Sequence, residues 1–126
     1  MCRLWLDMQG YSKEIAIQIL ISLLKENNIK KIIVSPGTTN LTFVASLQHD
    51  SFFEIYSCPD ERSAAYMACG MATECGEPVV ITCTGATASR EYLAGLTEAF
   101  HRKIPILAVT ATQSVVNSDN LVLIYT

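Results

Sequence analysis

The chain has 126 residues, half of them hydrophobic and 17% charged, with a formal net charge of −3. That suffices for one packed domain, leaves no room for a second of ordinary size, and excludes a disordered chain. No basic stripe or Lys/Arg-rich run exists, so the phosphate-neutralising attraction that dominates nucleic-acid binding is missing.

Five cysteines stand at 2, 58, 69, 75 and 83 without a C-x-x-C pair, and an odd number argues against a closed disulfide framework. With His49 and His101 the only histidines, no zinc spacing can be assembled. Residues 1–10 have neither a basic leader nor an apolar stretch of signal-peptide length. Together with reduced thiols this makes a cytoplasmic location the expectation. The apolar run Ile15 to Leu24, interrupted by Gln18 and Ser22, is about half the ~20 residues a membrane span needs and reads as a core helix.

In chain order, Ser12 is the expected N-cap of a first helix reaching about Glu26. Its apolar face is Ile15, Ile19 and Leu23 with Ala16, Leu20 and Leu24, at i, i+4 spacing. Lys31 to Ser35 is a short β-branched run, as in a strand buried on both faces. Pro36-Gly37 turns the chain into a helix from about Asn40 to Gln48, with Leu41, Val44 and Leu47 on one side. Phe52 to Ser57 reads as a second strand, and a helix follows from Asp60 or Glu61 to about Glu74. Gly76 and Pro78 end it before the strand Val79 to Cys83. Thr84 to Thr87 forms a small-residue loop, Ser89 to Arg102 a helix and Ile106 to Thr110 a strand. A fifth strand at Leu121 to Tyr125 has no helix after it. Strand and helix alternating at crossover length predict an α/β fold: a doubly wound, mostly parallel sheet with helices on both faces.

Ligands of such a sheet bind beyond the carboxyl ends of its strands. There the chain places Ser35 to Asn40, Cys58 to Arg62, Thr84 to Ser89 and Thr110 to Ser114. Taken singly, these residues have bland readings. A glutamate in a helix's first turn is favoured by the macrodipole alone, and Gly37 and Gly85 suit ordinary turns.

Taken in order, the segments SPGTTNLTFVASL, CPDERSAAYMACGMATECG, VVITCTGATASREYLAGLTEAF and KIPILAVTAT resemble the pyrimidine-binding (PYR) domain of thiamine-diphosphate-dependent enzymes. The likeness is to the superfamily of acetohydroxy-acid (acetolactate) synthase, the 2-oxo acid decarboxylases and the menaquinone-pathway synthase. Glu61, Ala64, Ala65, Ala68, Gly70 and Ala72 match its E-x-x-A-A-x-x-A-x-G-x-A helix. Leu93, Gly95, Leu96 and Ala99 match its N-L-x-x-G-L-x-x-A helix, with Arg90 or Glu91 in place of the asparagine. The resemblance covers roughly residues 12 to 112.

The resemblance implies roles. Glu61 would be the catalytic glutamate that hydrogen-bonds N1′ of the cofactor's aminopyrimidine and shares a proton there, promoting loss of the C2 proton. An Ala/Gly/Met-rich setting suits such sharing. Pro36, Gly37, Gly85 and Ala86 would line the cofactor, and Thr38 and Gln113 would face a small 2-oxo acid substrate. Mg²⁺ and the diphosphate would be held by a separate diphosphate-binding (PP) domain or subunit. Its Gly-Asp-Gly motif does not occur here, and no metal site is expected in this chain. Homo- or hetero-oligomers are expected, with Tyr66, Met67 and Met71 as candidate contacts, although Met71 is expected to pack inward. The whole chain, 1–126, would be one PYR-type domain, short at its C-terminus and inactive without the other half. A natural half-enzyme and a truncated piece of a longer lyase or transferase both remain open. The alternative class is a non-catalytic interaction or nucleotide-binding module, but neither G-x-G-x-x-G nor G-x-x-x-x-G-K-[ST] is present.

Overall fold

Ile32, Ile33, Val34, Val79, Val80 and Ile81 are all buried, and a strand apolar at every position must be covered on both faces. The computed structural model describes residues 11–85, 87–113 and 119–125, and meets this requirement with a five-stranded sheet. Strand β1 (Lys31–Val34) lies between β2 (Glu54–Ser57) and β3 (Val79–Thr84), then come β4 (Ile106–Gln113) and β5 (Asp119–Tyr125). The first four strands are mutually parallel, with Ile33 opposite both Tyr56 and Ile81, and Ile81 opposite Ala108. The fifth strand exists as expected, begins at Asp119, and runs antiparallel along β4.

Two helical layers cover the sheet. Helices α1 (Ile15–Glu26) and α2 (Leu41–Gln48) pack Ile17, Leu20, Leu24, Phe43 and Leu47 on Ile32, Val34, Val80 and Val109. Helices α3 (Glu61–Cys75), α4 (Thr87–Glu91) and α5 (Leu93–Arg102) cover Ile33, Val79, Ile81, Cys83, Ile106 and Ala108 on the other face. Tight backbone approach joins α3 to α5. A Cβ on Gly95 would lie 2.5 Å from the Ala65 methyl carbon, so the small residues of both helices set their spacing.

Three of the expected helices differ in detail from expectation. Helix α1 starts at Ile15, after Glu14 and not after Ser12. The Ser12 amide donates to Ser46 Oγ and its own hydroxyl accepts from the Glu14 amide, tying the segment to α2. The buried stripe of α1 is Ile17, Leu20, Ile21 and Leu24, while Ile15, Ile19 and Leu23 are exposed. The run is apolar almost all round, so i, i+4 spacing fits two stripes and packing selects one. In α2, Phe43, Val44 and Leu47 face inward and Leu41 is exposed. Finally, the helix expected over 89–102 is broken at Tyr92, whose amide bonds the Ser89 carbonyl in a tight closing turn at 3.3 Å. The break lets a tyrosine ring enter the core.

At the other end of the α1 layer, Lys25 forms an ion pair with the largely buried Asp50. Burial works to raise the Asp50 pKa, but the Lys25 ammonium, the Phe52 amide and the Tyr11 hydroxyl outweigh it and hold the carboxyl below its ordinary range.

The strand order places the site. From β1 the chain leaves through α2 toward β2, and from β3 it leaves through α4 and α5 toward β4. The connections diverge above the adjacent ends of β1 and β3, opening the crevice of a topological switch point. Gly37 is what lets the two loops meet: a Cβ there would stand 2.0 Å from Thr84 Cγ2. Gly37→Ala is therefore expected to destabilise the fold by about 1–3 kcal/mol. Thr84→Ser, which deletes that methyl group, should recover most of the loss in the double variant. Urea denaturation of the four proteins checks this, and additive losses would show that the contact is not the cause.

Candidate active site

The β1 loop is held by its own side chains. Asn40, 1% exposed, donates from Nδ2 to the Ser35 carbonyl at 3.1 Å and accepts at Oδ1 from the Gly37 amide at 3.0 Å. It thus closes the Pro36-Gly37 turn like a clasp. Thr39 reaches sideways, its hydroxyl donating to the Ala111 carbonyl at 2.8 Å, which links this loop to β4. Pro36 and Thr38 are exposed at the crest, and Gly37 is half-buried beneath them.

The β2–α3 loop is anchored at both ends. The Cys58 amide donates to the Val34 carbonyl at 2.9 Å, and its carbonyl accepts from Ser35 Oγ at 2.8 Å. Two residues on, the Asp60 carboxylate caps α3, accepting from the Ser63 amide at 2.8 Å. Those bonds from Ser63 hold the Asp60 carboxyl below its usual range. Glu61 is the first residue of α3 and half-buried.

Two buried groups of mixed character lie on β3 and at the start of α5. Cys83 is fully buried and donates to the Thr84 carbonyl at 3.1 Å. Burial pushes its thiol up to about 11, so it stays protonated and is not a nucleophile. Tyr92, 1% exposed, also has its pKa raised by burial. The helix above is lined inward by Ala64, Ala65, Ala68 and Ala72, all buried.

The sequence-derived candidates are therefore mostly brought together. Pro36, Gly37, Thr38, Glu61 and Gly85 belong to the three loops around the crevice, and Gln113 ends β4 two residues past the last β3–β4 pair, Thr84 with Ala111. Ala86 lies outside the described residues. Ser35 and Asn40 bound the first of the segments that the sequence places at this edge but carry no role there, and Cys83 and Tyr92 lie outside those segments. Only Asn40 carried a signal, as a helix-start residue after Pro-Gly. The described residues contain no group of three or more His, Cys, Asp or Glu placed to hold a metal ion, and their four cysteines are free. None of their helices is long and apolar enough to cross a membrane.

Residues 16–122 match the family model for the N-terminal TPP-binding domain of thiamine pyrophosphate enzymes. The 2-succinyl-5-enolpyruvyl-6-hydroxy-3-cyclohexene-1-carboxylate synthase of Porphyromonas gingivalis is 40% identical over 101 residues, 80% of this chain and 18% of that protein. The synthase of the same name from Christiangramia forsetii is 31% identical over 109 residues, 86% of this chain and 19% of its own. The chain thus spans about a fifth of the length of these relatives. Among solved structures, a putative thiamin diphosphate-dependent enzyme from Mycobacterium smegmatis superposes with a TM-score of 0.73 at 21% identity, covering 84% of this chain and 20% of its own. Benzoylformate decarboxylase from Polynucleobacter necessarius gives a TM-score of 0.70 at 21% identity, over 79% of this chain and 18% of that one. These structural likenesses carry the fold, and the family match rests on the sequence. This chain belongs to the family of thiamine pyrophosphate enzyme N-terminal TPP-binding domains.

Proposed function

We propose that this chain is one PYR-type domain that supplies the pyrimidine half of a thiamine-diphosphate site in an enzyme acting on a 2-oxo acid, with Glu61 as its catalytic residue. The observation that carries the reading is the placement of Glu61. It opens α3 from a loop pinned to β1 at Cys58, beside a crevice whose walls approach through Gly37. The residues present fit the cofactor's aminopyrimidine: a half-buried carboxylate, a small-residue helix, and glycine-containing loops at both strand ends.

When bound, the cofactor would supply a stabilised carbanion for decarboxylation or carboligation. The part of this chain is narrower. Glu61 would hold a proton at N1′ of the ring, Gly37, Pro36, Gly85 and Ala86 would bound the ring, and Thr38 and Gln113 would face the 2-oxo acid. Mg²⁺ and the diphosphate are assigned to a separate PP domain, in the same polypeptide or another; among the described residues no group of three or more His, Cys, Asp or Glu is placed to hold a metal ion. Tyr66 and Met67, exposed on α3 at 47% and 39%, are the candidate contacts for that partner or a second copy. Met71 is half-buried against the core and is not.

The test separates the two neighbouring carboxylates. With a diphosphate-binding domain present, Glu61→Gln should slow cofactor C2–H exchange and turnover by roughly 10²–10⁴-fold, since glutamine keeps the shape but cannot pass a proton. Asp60→Asn should leave both rates within a few-fold, because asparagine caps a helix about as well. Near-native exchange in Glu61→Gln, measured by deuterium incorporation, would remove the catalytic assignment.

A further inference from the structure

We propose that Thr39 is a positioning residue for the pyrimidine side of the crevice, its hydroxyl strapping the Pro36-Gly37 turn across the end of β3 onto β4. The consequence for binding rests on the pyrimidine-site reading above. The strap itself stands on this chain alone.

The register of the sheet shows how the turn lies. Thr84 and Ala111 face each other as the last pair of β3 and β4. Gly37 sits on the first of them, so closely that a Cβ would stand 2.0 Å from Thr84 Cγ2. Two residues on, Thr39 donates from Oγ1 to the carbonyl of the second, Ala111, at 2.8 Å. One short turn therefore contacts both members of a strand pair, and it spans two strand ends at once. Ala111 is 3% exposed, a setting in which a carbonyl is costly to leave without a donor.

The polar side chains before α2 are turned to this loop and not to the helix. Asn40 is the N-cap of α2 and of a favoured capping type, yet its side chain makes no cap hydrogen bond. It reaches back to the Gly37 amide and the Ser35 carbonyl. Those bonds stay within residues 35–40, so they shape the turn without fixing it to β4. Thr39 fixes it, through a partner 72 residues away in sequence. Without that donor, packing on Thr84 is left to hold the crest, and Pro36 and Gly37 are free to lift from the crevice wall. A ring bound against them would first have to re-seat the turn, which weakens binding by about one hydrogen bond's contribution.

Two substitutions separate the hydroxyl from the shape. Thr39→Val keeps the shape and removes the donor, whereas Thr39→Ser keeps the donor and removes the methyl group. In hydrogen exchange of the full chain, Thr39→Val should speed the Gly37 amide by roughly 5–10-fold, because the opening that frees this amide also breaks the strap. Thr39→Ser should exchange at close to the native rate. The Cys58 amide on the other loop and the Val80 and Ile81 amides of β3 should stay native in both. Native exchange at Gly37 in Thr39→Val overturns the strap. So does an equal rise in Thr39→Ser, or a matching rise in β3, which marks general destabilisation. Titration with 4-amino-5-hydroxymethyl-2-methylpyrimidine reads the consequence. Half-saturation should need roughly 5–10-fold more ring in Thr39→Val and about the native amount in Thr39→Ser. A loosened turn with native ring affinity would sink the positioning role. A native chain that takes up no ring would count against the pyrimidine-site reading itself, and exchange would still decide the strap.

Discussion

The parallel pairing of β1 with β3 is the constraint on which the rest depends. The strands lie side by side through Lys31–Val79 to Val34–Thr82, yet their connections leave in opposite directions. Two chain ends that start about 5 Å apart and then diverge must leave an opening. The loops of the candidate site lie around it. Its depth is limited by the approach of Gly37 to Thr84, where a single methyl group would already collide. A side chain at 37 would prise the loops apart and loosen both walls of the crevice together.

Polar groups buried at the end of β1 convert that opening into a defined shape. Ser35 and Asn40 are 0% and 1% exposed, and their hydrogen bonds run to the Pro36-Gly37 turn on one side and to the Cys58 loop on the other. A half-satisfied cluster here would cost more than an apolar one, and these hydrogen bonds serve to hold the two loops. On the α3 side, small residues do the equivalent work. Alanines facing Gly95 bring α3 close to α5, which seats the start of α3 against the sheet edge.

Most of the fold was legible in the chain. Continuous β-branched runs such as Ile32-Ile33-Val34 and Val79-Val80-Ile81 specify strands buried on both faces, and Gly76 with Pro78 marks the end of α3. What was not legible has physical causes. Ile15 to Leu24 is apolar on nearly every side, so its period could not say whether Ile15, Ile19 and Leu23 or Ile17, Leu20 and Leu24 face the sheet. The break at Tyr92 leaves no propensity signal, because Ser89 to Arg102 contains no proline and its only glycine, Gly95, sits elsewhere. Of the candidate site, Glu61 and Gly37 are singled out by the motifs that carry the family resemblance, and by nothing in either residue taken singly. Cys83 and Tyr92 lie outside those motif positions and carry no such signal.

The central claim is that the crevice between the ends of β1 and β3 receives an aminopyrimidine. It is tested most directly by titrating the isotope-labelled chain with 4-amino-5-hydroxymethyl-2-methylpyrimidine, which carries the ring without the thiazolium or diphosphate, and following backbone amide shifts. The account predicts saturable shifts concentrated at Gly37, Glu61 and Gly85, with the α1–α2 layer around Ile17 and Phe43 unmoved. Shifts centred on that layer, or none at millimolar ring concentration, would contradict it.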